Sequence, residues 1–281
     1  MSPLRVVVLT ILAMLAFAGN SLLCRAALTQ TGIDAASFTT FRIVAGAATL
    51  WLIVRLRRGT QAPSGNWASS LALFVYAAAF SFAYAGLTAG TGALLLFGAV
   101  QATMISVGLW AGERLRGRQA TGLVAALFGL VGLVLPGVSA PPLWDSALML
   151  AAGVAWGVYS LRRKGSGDPL RATAGNFLRA VAFTAVLSFA LLPSASLDRA
   201  GIGYAIASGA LASGVGYAIW YTALAGMKVT NAATVQLSVP AIAALGGVIF
   251  LGEPLTLRLI IASVAILGGI ALVIAEEPRA G

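Results

Sequence analysis

Apolar runs of about 20 residues, the length of a helix that crosses a bilayer, follow one another along the whole chain. Short clusters rich in Gly, Pro, Arg and Asp separate them. Reading the runs between these breakers predicts ten spans, at about 5–28, 35–54, 67–87, 89–110, 119–137, 143–161, 171–192, 201–224, 230–252 and 256–275. The breakers include Arg57-Arg58-Gly59, Gly112-Glu113-Arg114, Pro141-Pro142, Gly165-Ser166-Gly167-Asp168-Pro169, Pro193-Ser194 and Gly252-Glu253-Pro254. No run is left over for a soluble domain. The first span has the look of a signal peptide, with Ala16-Phe17-Ala18 as a cleavage site. Its apolar character continues to Leu28, however, which predicts a retained span.

Composition agrees with this pattern. The chain of 281 residues is 59% hydrophobic and 9% charged, whereas a soluble domain carries roughly 25% charged residues. A net charge of +10 raises the question of nucleic acid. The cations answer it, because they sit in short clusters between apolar runs and form no basic face. With the N-terminus in the cytoplasm, the inside segments hold Arg5, Arg55, Arg57, Arg58, Arg114, Arg116, Arg118, Arg162, Arg163, Lys164, Arg171, Lys228 and Arg279. The outside ends hold only Arg25, Arg199 and Arg258. This bias predicts a multi-pass protein of the bacterial inner membrane with both termini cytoplasmic. The single cysteine, Cys24, excludes a disulfide within the chain.

An internal repeat divides the ten spans. A shift of 140 residues superposes Gly112-Glu113-Arg114-Leu115 on Gly252-Glu253-Pro254-Leu255, Arg118 on Arg258, Ala125 on Ala265 and Gly129 on Gly269. With small gaps, Tyr84-Ala85-Gly86-Leu87 meets Tyr221-Thr222-Ala223-Leu224, Phe41-Arg42 meets Leu178-Arg179, and Ser21-Leu22 meets Ser160-Leu161. The halves are 1–139 and 140–281. Five spans is an odd number, so the second half enters the membrane from the opposite face. The fold class is therefore all-α integral membrane, ten transmembrane helices as two inverted five-helix repeats. That architecture is one of transporters, with a substrate site near the midplane between the halves.

These residues carry a family resemblance. Five plus five spans, a Gly-Glu pair closing the fourth span of each half and a glycine-rich span after it resemble the drug/metabolite transporter superfamily, and within it the EamA family. The resemblance covers essentially the whole chain and is nearest to the YddG-type exporters of aromatic and other neutral amino acids. The opening run Ala16-Phe17-Ala18-Gly19-Asn20-Ser21-Leu22-Leu23-Cys24-Arg25 is similar to the family's first-span pattern. A family tryptophan is missing there, though Trp156-Gly157 supplies it in the second half. The fourth-span proline is replaced by Val100, while Pro240 keeps its counterpart. The resemblance implies export of small metabolites by alternating access, without a cofactor. A multidrug or nucleobase exporter, or a channel-like pore, is the alternative.

The residues themselves exclude most chemistry. There is no histidine, so no Ser-His dyad and no His-ligated metal. The carboxylates Asp34, Glu113, Asp145, Asp168, Asp198, Glu253, Glu276 and Glu277 all fall at span ends or in connections, so no buried acid–base pair is expected. No phosphate-binding glycine loop precedes a Lys-Ser/Thr pair. An enzyme is thus not expected, and a proton path through the membrane lacks its usual residues. The partners are a small-molecule substrate (amino acids) and membrane lipid, with no nucleic acid, and the chain is a monomer or a homodimer.

Site candidates are polar or aromatic residues at depth. Asn20, Gln101 and Ser213 count well inside their spans, and Gln236 lies in the inner half. Each has two readings, a substrate contact or a helix–helix hydrogen bond. Tyr76, Phe80 and Tyr84 recur every four residues, as one face of span three. Ser213, Tyr217, Trp220 and Tyr221 share a face of span eight, with Trp220 and Tyr221 close enough to the boundary to read as interfacial anchors. Trp156 and Tyr159 are expected to line or cap the inner mouth. Trp51, Trp67, Trp110 and Trp144 read as anchors. Arg42 and Arg179, related by the repeat, are either vestibule cations for carboxylates or snorkelling side chains. Ala125/Gly129 and Ala265/Gly269 predict close packing of spans five and ten. Pro240, the proline near the middle of a span, predicts a bend or local unwinding at 236–240 and a gating hinge.

Overall fold

The computed structural model describes residues 1–57, 63–112, 117–137, 139–162, 167–227 and 229–275. Arg58, Glu113, Arg114, Arg116, Arg163, Lys164, Lys228, Glu276, Glu277 and Arg279, which enter the charge and repeat arguments, lie outside them. Among the described residues every regular element is helical. In chain order these are α1 (Pro3–Gln30), α2 (Ala35–Leu56), α3 (Trp67–Ala83), α4 (Ala89–Trp110), α5 (Gly117–Val134), α6 (Leu143–Arg162) and α7 (Pro169–Ala190). A single 3-10 turn, Leu192–Ser194, follows. Next, α8 (Arg199–Ala207) passes through a π-helical segment, Ser208–Val215, into α9 (Gly216–Leu224). The last elements are α10 (Val229–Gln236), α11 (Ser238–Leu251) and α12 (Leu257–Ala275).

Small polar residues set the helix starts. Asp34, Asn66, Thr88, Asp168 and Asp198 each accept, through the side chain, from backbone N–H groups of the first turn that would otherwise lack a partner. Asp34 reaches further, because its second oxygen accepts from the Ser196 N–H at 2.9 Å. Burial pushes its carboxyl up, and the hydrogen bonds from Ser37, Ser196 and Ala36 outweigh this and hold it below the usual range. The cap thus adds stability at neutral pH that is lost only as pH falls through that depressed value. The carboxylates expected at span ends therefore have local work at three of these positions. Gly252, with φ of 65°, ends α11 in the left-handed region where glycine has no Cβ penalty. The reversal brings the Glu253 N–H to the Gly247 carbonyl at 3.0 Å and aims the Glu253 side chain back along the bundle.

Eight helical stretches are long and apolar enough to cross a membrane: Pro3–Gln30, Ala35–Leu56, Ala89–Trp110, Gly117–Val134, Pro169–Ala190, Arg199–Leu224, Asn231–Leu251 and Leu257–Ile274. Two of the ten expected spans are not among them. One, α3, is a shorter apolar helix because the chain turns tightly after Ala83, with the Ala85 and Gly86 N–H groups bonding three residues back. The other, α6, packs against both α3 and α4 in the same bundle. The outside of the bundle is apolar: Phe128, Phe189, Phe250 and Val264 are 73%, 80%, 73% and 71% exposed. Such a surface is stable against lipid and not against water. The chain is a multi-pass membrane protein. Trp51, Trp67, Trp110 and Trp144 are all exposed, and the last three stand at the ends of α3, α4 and α6.

Packing pairs the first half of the chain with the second. The broadest contact is α5 on α12, and α2 packs on α7, α3 on α6 and α4 on α11. α1 lies against α8, the π segment, α9 and α11. At α5/α12 a Cβ on Gly122 would meet the Gly269 carbonyl, and one on Gly269 would meet the Gly122 carbonyl. Gly129 stands against Ala265 and Ile266. The small residues thus bring two backbones into direct contact within the chain, the packing that replaces the hydrophobic drive in lipid.

Candidate substrate cavity

The helices enclose a cavity of about 430 Å³. Its wall is built from α1 (Phe17, Asn20, Ser21), α3 (Tyr76, Phe80), α4 (Leu96, Phe97, Val100, Gln101, Met104) and α6 (Trp156, Ser160). The π segment gives Ala212 and Ser213, α9 gives Tyr217, Trp220, Tyr221 and Leu224, and α10 gives Ala232, Ala233 and Gln236. Met227 completes the wall between α9 and α10. Eight of the ten proposed binding residues lie on this wall: Asn20, Tyr76, Phe80, Gln101, Trp156, Ser213, Tyr217 and Gln236.

Tyr84 and Tyr159 do not. Tyr84 keeps the four-residue spacing from Phe80, but α3 has ended there. Its hydroxyl donates to the Ala89 carbonyl at 3.2 Å and its ring packs edge-on to Phe80 at 4.7 Å. Tyr159 is buried behind Trp156, hydrogen-bonded to Thr173 and Asn176. Conversely, Trp220 and Tyr221, expected as interfacial anchors, line the cavity. The reason is that the cavity reaches the end of α9, so closeness to a helix end does not imply contact with lipid. Phe17, Ser21 and Met104 went unpredicted. They stand three residues, one residue and three residues from Asn20 and Gln101 on the sequence, and the helical face of each amide would have found Phe17 and Met104.

Aromatic rings form the cavity's core. Trp156 is central, with ring centroids 4.7 Å from Tyr76 and 5.6 Å from Tyr217, the latter nearly parallel at 16°. Tyr217 continues to Tyr221 at 6.2 Å and 18°. Phe17 packs against Tyr217 and Trp220. The faces of such rings take an apolar side chain or a cation. Beneath them runs a polar chain: Ser208 Oγ donates to Asn20 Oδ1 at 2.7 Å, and Asn20 Nδ2 donates to the Tyr76 hydroxyl at 3.4 Å. Arg42 Nη2 donates to the same hydroxyl at 3.0 Å. Asn20 therefore joins α1 to the π segment as well as facing the cavity. Gln236 Nε2 donates to the Ala232 carbonyl one turn back.

The two arginines differ. Arg42 is 1% exposed, behind Tyr76 and Phe80, and not at a mouth. Arg179 is only partly buried and donates Nη1 to the Ser64 and Gly175 carbonyls, fastening the start of α7 to the connection before α3. Neither lines the cavity. Pro240 also stands off the wall, but the helix carrying it is interrupted at Leu237, between Gln236 and Ser238. The π segment, which gives Ala212 and Ser213 to the wall, is a second irregularity. It lies where Gly209 packs on the Arg42 carbonyl and Gly214 on Thr49.

One end of the cavity is sealed. Arg25 Nε and Glu253 Oε1 are 2.9 Å apart, Arg25 Nη1 donates to the Tyr84 and Ala85 carbonyls, and Glu253 Oε2 accepts from the Ala89 N–H at 2.8 Å. Two side chains thereby tie α1, the end of α3, the start of α4 and the end of α11. The wall residues of α4 begin at Leu96, beyond this knot, and those of α9 and α10 lead away from it to Met227. Among the described residues no group of His, Cys, Asp or Glu could hold a metal ion.

An apolar-surfaced helical bundle around a largely aromatic cavity with a few amides and hydroxyls is the build of a membrane transporter of small molecules. The chain belongs to the EamA-like transporter family, whose model matches residues 143–275. It is 58% identical over 278 residues to an uncharacterized protein of Pseudomonas aeruginosa, covering 99% of this chain and 96% of that one. It is 33% identical over 168 residues to the threonine/homoserine exporter RhtA of Salmonella typhimurium, across 56% of each chain. An uncharacterized transporter of Archaeoglobus fulgidus matches at 27% over 172 residues, 59% of this chain and 60% of that one. A crystal structure of a protein 20% identical in sequence has the same fold, with a TM-score of 0.69 over 99% of this chain and 100% of that chain.

Proposed function

We propose that this transporter exports small neutral amino acids, aromatic ones foremost, across the bacterial inner membrane by alternating access, as a facilitator. The observation that carries the reading is the aromatic cavity, open toward α9 and α10 and sealed at the Arg25–Glu253 end. A ring side chain stacks on Trp156 or Tyr217, and Asn20, Gln101, Ser213 and Gln236 supply polar contacts. The likeness to an exporter of threonine and homoserine supports both the amino-acid class and the direction. The positive-inside bias puts both termini in the cytoplasm, which makes the described state one that faces inward.

Two inverted five-helix repeats, 1–139 and 140–281, underlie the exchange of faces. The contact pattern supports this. Exchanging each span with its repeat partner turns α3 on α6 into α8–α9 on α1, and α4 on α6 into α11 on α1; both members of each pair occur. α2 on α7, α4 on α11 and α5 on α12 map onto themselves. Near-equivalent halves are what alternating access requires.

Counterflow in proteoliposomes tests the carrier. Labelled phenylalanine and threonine should exchange saturably against internal unlabelled substrate, and collapsing the pH gradient should leave the initial rate nearly unchanged. Asp34, Asp168 and Asp198 are occupied as caps and Glu253 as an ion-pair partner, and among the described residues no carboxylate lines the cavity. Non-saturable flux would identify a pore, and a large loss without the gradient would identify a proton-coupled carrier. Trp156→Ala should cost phenylalanine roughly tenfold in apparent affinity, about 1.4 kcal/mol of stacking and burial, with little change for threonine. Equal losses for both would remove Trp156 from the binding surface.

A further inference from the structure

Arg42 is a cation in the interior of the bundle without an anion. The ion pairs among the described residues are Arg25–Glu253 and Arg57–Asp168, and Arg42 belongs to neither. Its Nη2 donates to Tyr76, while Nε and Nη1 have no acceptor among the described residues. With a single hydrogen bond made, four of the five guanidinium N–H groups are unused. Instead the guanidinium carbon lies 5.3 Å from the Tyr76 ring centroid and 4.7 Å from that of Phe80. Ring faces offset only part of what burying a charge costs. A site of this kind persists when an anion completes it during the working cycle. Both rings that cover Arg42 also line the cavity, so the thickness of one ring separates the guanidinium from whatever the cavity holds.

We propose that Arg42 is the carboxylate anchor of the transported substrate, reached when Tyr76 gives way. This rests on the amino-acid reading above and names the group of the substrate that is held, the free carboxylate. Tyr76 touches Arg42 on one side and packs against Trp156 at 4.7 Å on the other. With the carboxylate at Arg42, the rest of the substrate lies on the cavity side of Tyr76, where an aromatic side chain reaches the Trp156 and Tyr217 faces. Arg179 is not a second anchor. Its repeat position is equivalent, but its Nη1 is committed to two backbone carbonyls. The unpaired donors of a planar fork suit a carboxylate better than an ammonium point charge would.

The test uses the full-length protein in detergent, titrated calorimetrically with phenylalanine, 3-phenylpropanoate and phenethylamine. Wild-type protein should bind both acids more tightly than the amine. Arg42→Gln should weaken both acids by roughly tenfold or more and leave the amine unchanged, and Arg42→Lys should fall between. Phenylalanine bound equally by wild type and Arg42→Gln overturns the anchor and leaves the amino-acid reading standing. Wild-type protein that binds none of the three overturns that reading, and the anchor with it. Monodisperse elution verifies the variants. Should neither variant elute so, the wild-type order decides, because an amine bound as tightly as the acids removes any carboxylate site.

Discussion

Glu253→Gln is expected to open the sealed end of the bundle. The wild-type carboxylate holds Arg25 with one oxygen and the Ala89 N–H, at the positive start of α4, with the other. Arg25 in turn holds two carbonyls at the finish of α3. Gly247 makes room, since a Cβ there would strike Glu253 Oε2. The amide keeps the shape and loses the charge, and its single oxygen can accept from Arg25 or from the Ala89 N–H but not from both. The side chains are 17% and 10% exposed, so the loss belongs near the low end for a buried pair broken on one side, about 3 kcal/mol. That is roughly a hundredfold in the balance between sealed and open forms. The readout is labelling of a cysteine placed at Leu87, buried beside the knot, in a Cys24→Ala background. Impermeant reagent should modify it much faster in Glu253→Gln. Substrate affinity measured at the cavity side should fall in proportion to the sealed fraction. Arg25→Gln should do the same, and the double variant should cost less than the sum. Unchanged labelling in both single variants would mean that packing alone seals this end.

Most of this scaffold could be read from the residues. Apolar runs fix where helices lie because the bilayer leaves few alternatives, and Asp34, Asn66, Thr88 and Asp168 mark starts because a short side chain satisfies orphan N–H groups. The expected start at 89, read from the apolar run alone, coincides with the observed Ala89 behind its Thr88 cap. Irregularities were legible only where a residue enforces them. Pro240 announced a break near Leu237, whereas the π segment Ser208–Val215 consists of Gly, Ala, Ser, Leu and Val, which are as content in an α-helix. Its cause is tertiary: Gly209 and Gly214 pack onto α2. The site was partly legible for a related reason. Depth and helical face select residues that point inward, and that found the rings on α3, α6 and α9. Neither says how far a cavity extends, so Trp220 and Tyr221 were given to the interface. The repeat predicted like roles for Arg42 and Arg179, and local surroundings separate them: a ring pocket for one, the 63–66 connection for the other.

Pro240→Ala is expected to slow transport without unfolding the protein. In the wild type α10 stops at Gln236 and α11 begins at Ser238. The turn between them is tightened, with the Leu237 N–H donating to the Thr234 carbonyl at 3.1 Å and Ser238 Oγ to the Val235 carbonyl at 2.7 Å. Pro240 falls in the first turn of α11, where a missing N–H costs nothing. In a continuous helix the same residue would deny Gln236 its bond and press on its carbonyl, a penalty of about 3 kcal/mol. Proline therefore keeps the break in place, and the break leaves the Gln236 backbone at the cavity wall, where a carbonyl at bilayer depth can be solvated. Alanine removes the penalty, so the straight helix becomes competitive and α10 loses its freedom to tilt on α11. Turnover in proteoliposomes should drop severalfold, while expression and elution stay as in the wild type. Cysteines introduced at Met227, on the cavity side, and at Leu87, on the sealed side, should show a changed ratio of labelling rates. Wild-type turnover with an unaltered ratio would reduce Pro240 to a fixed kink that shapes the wall.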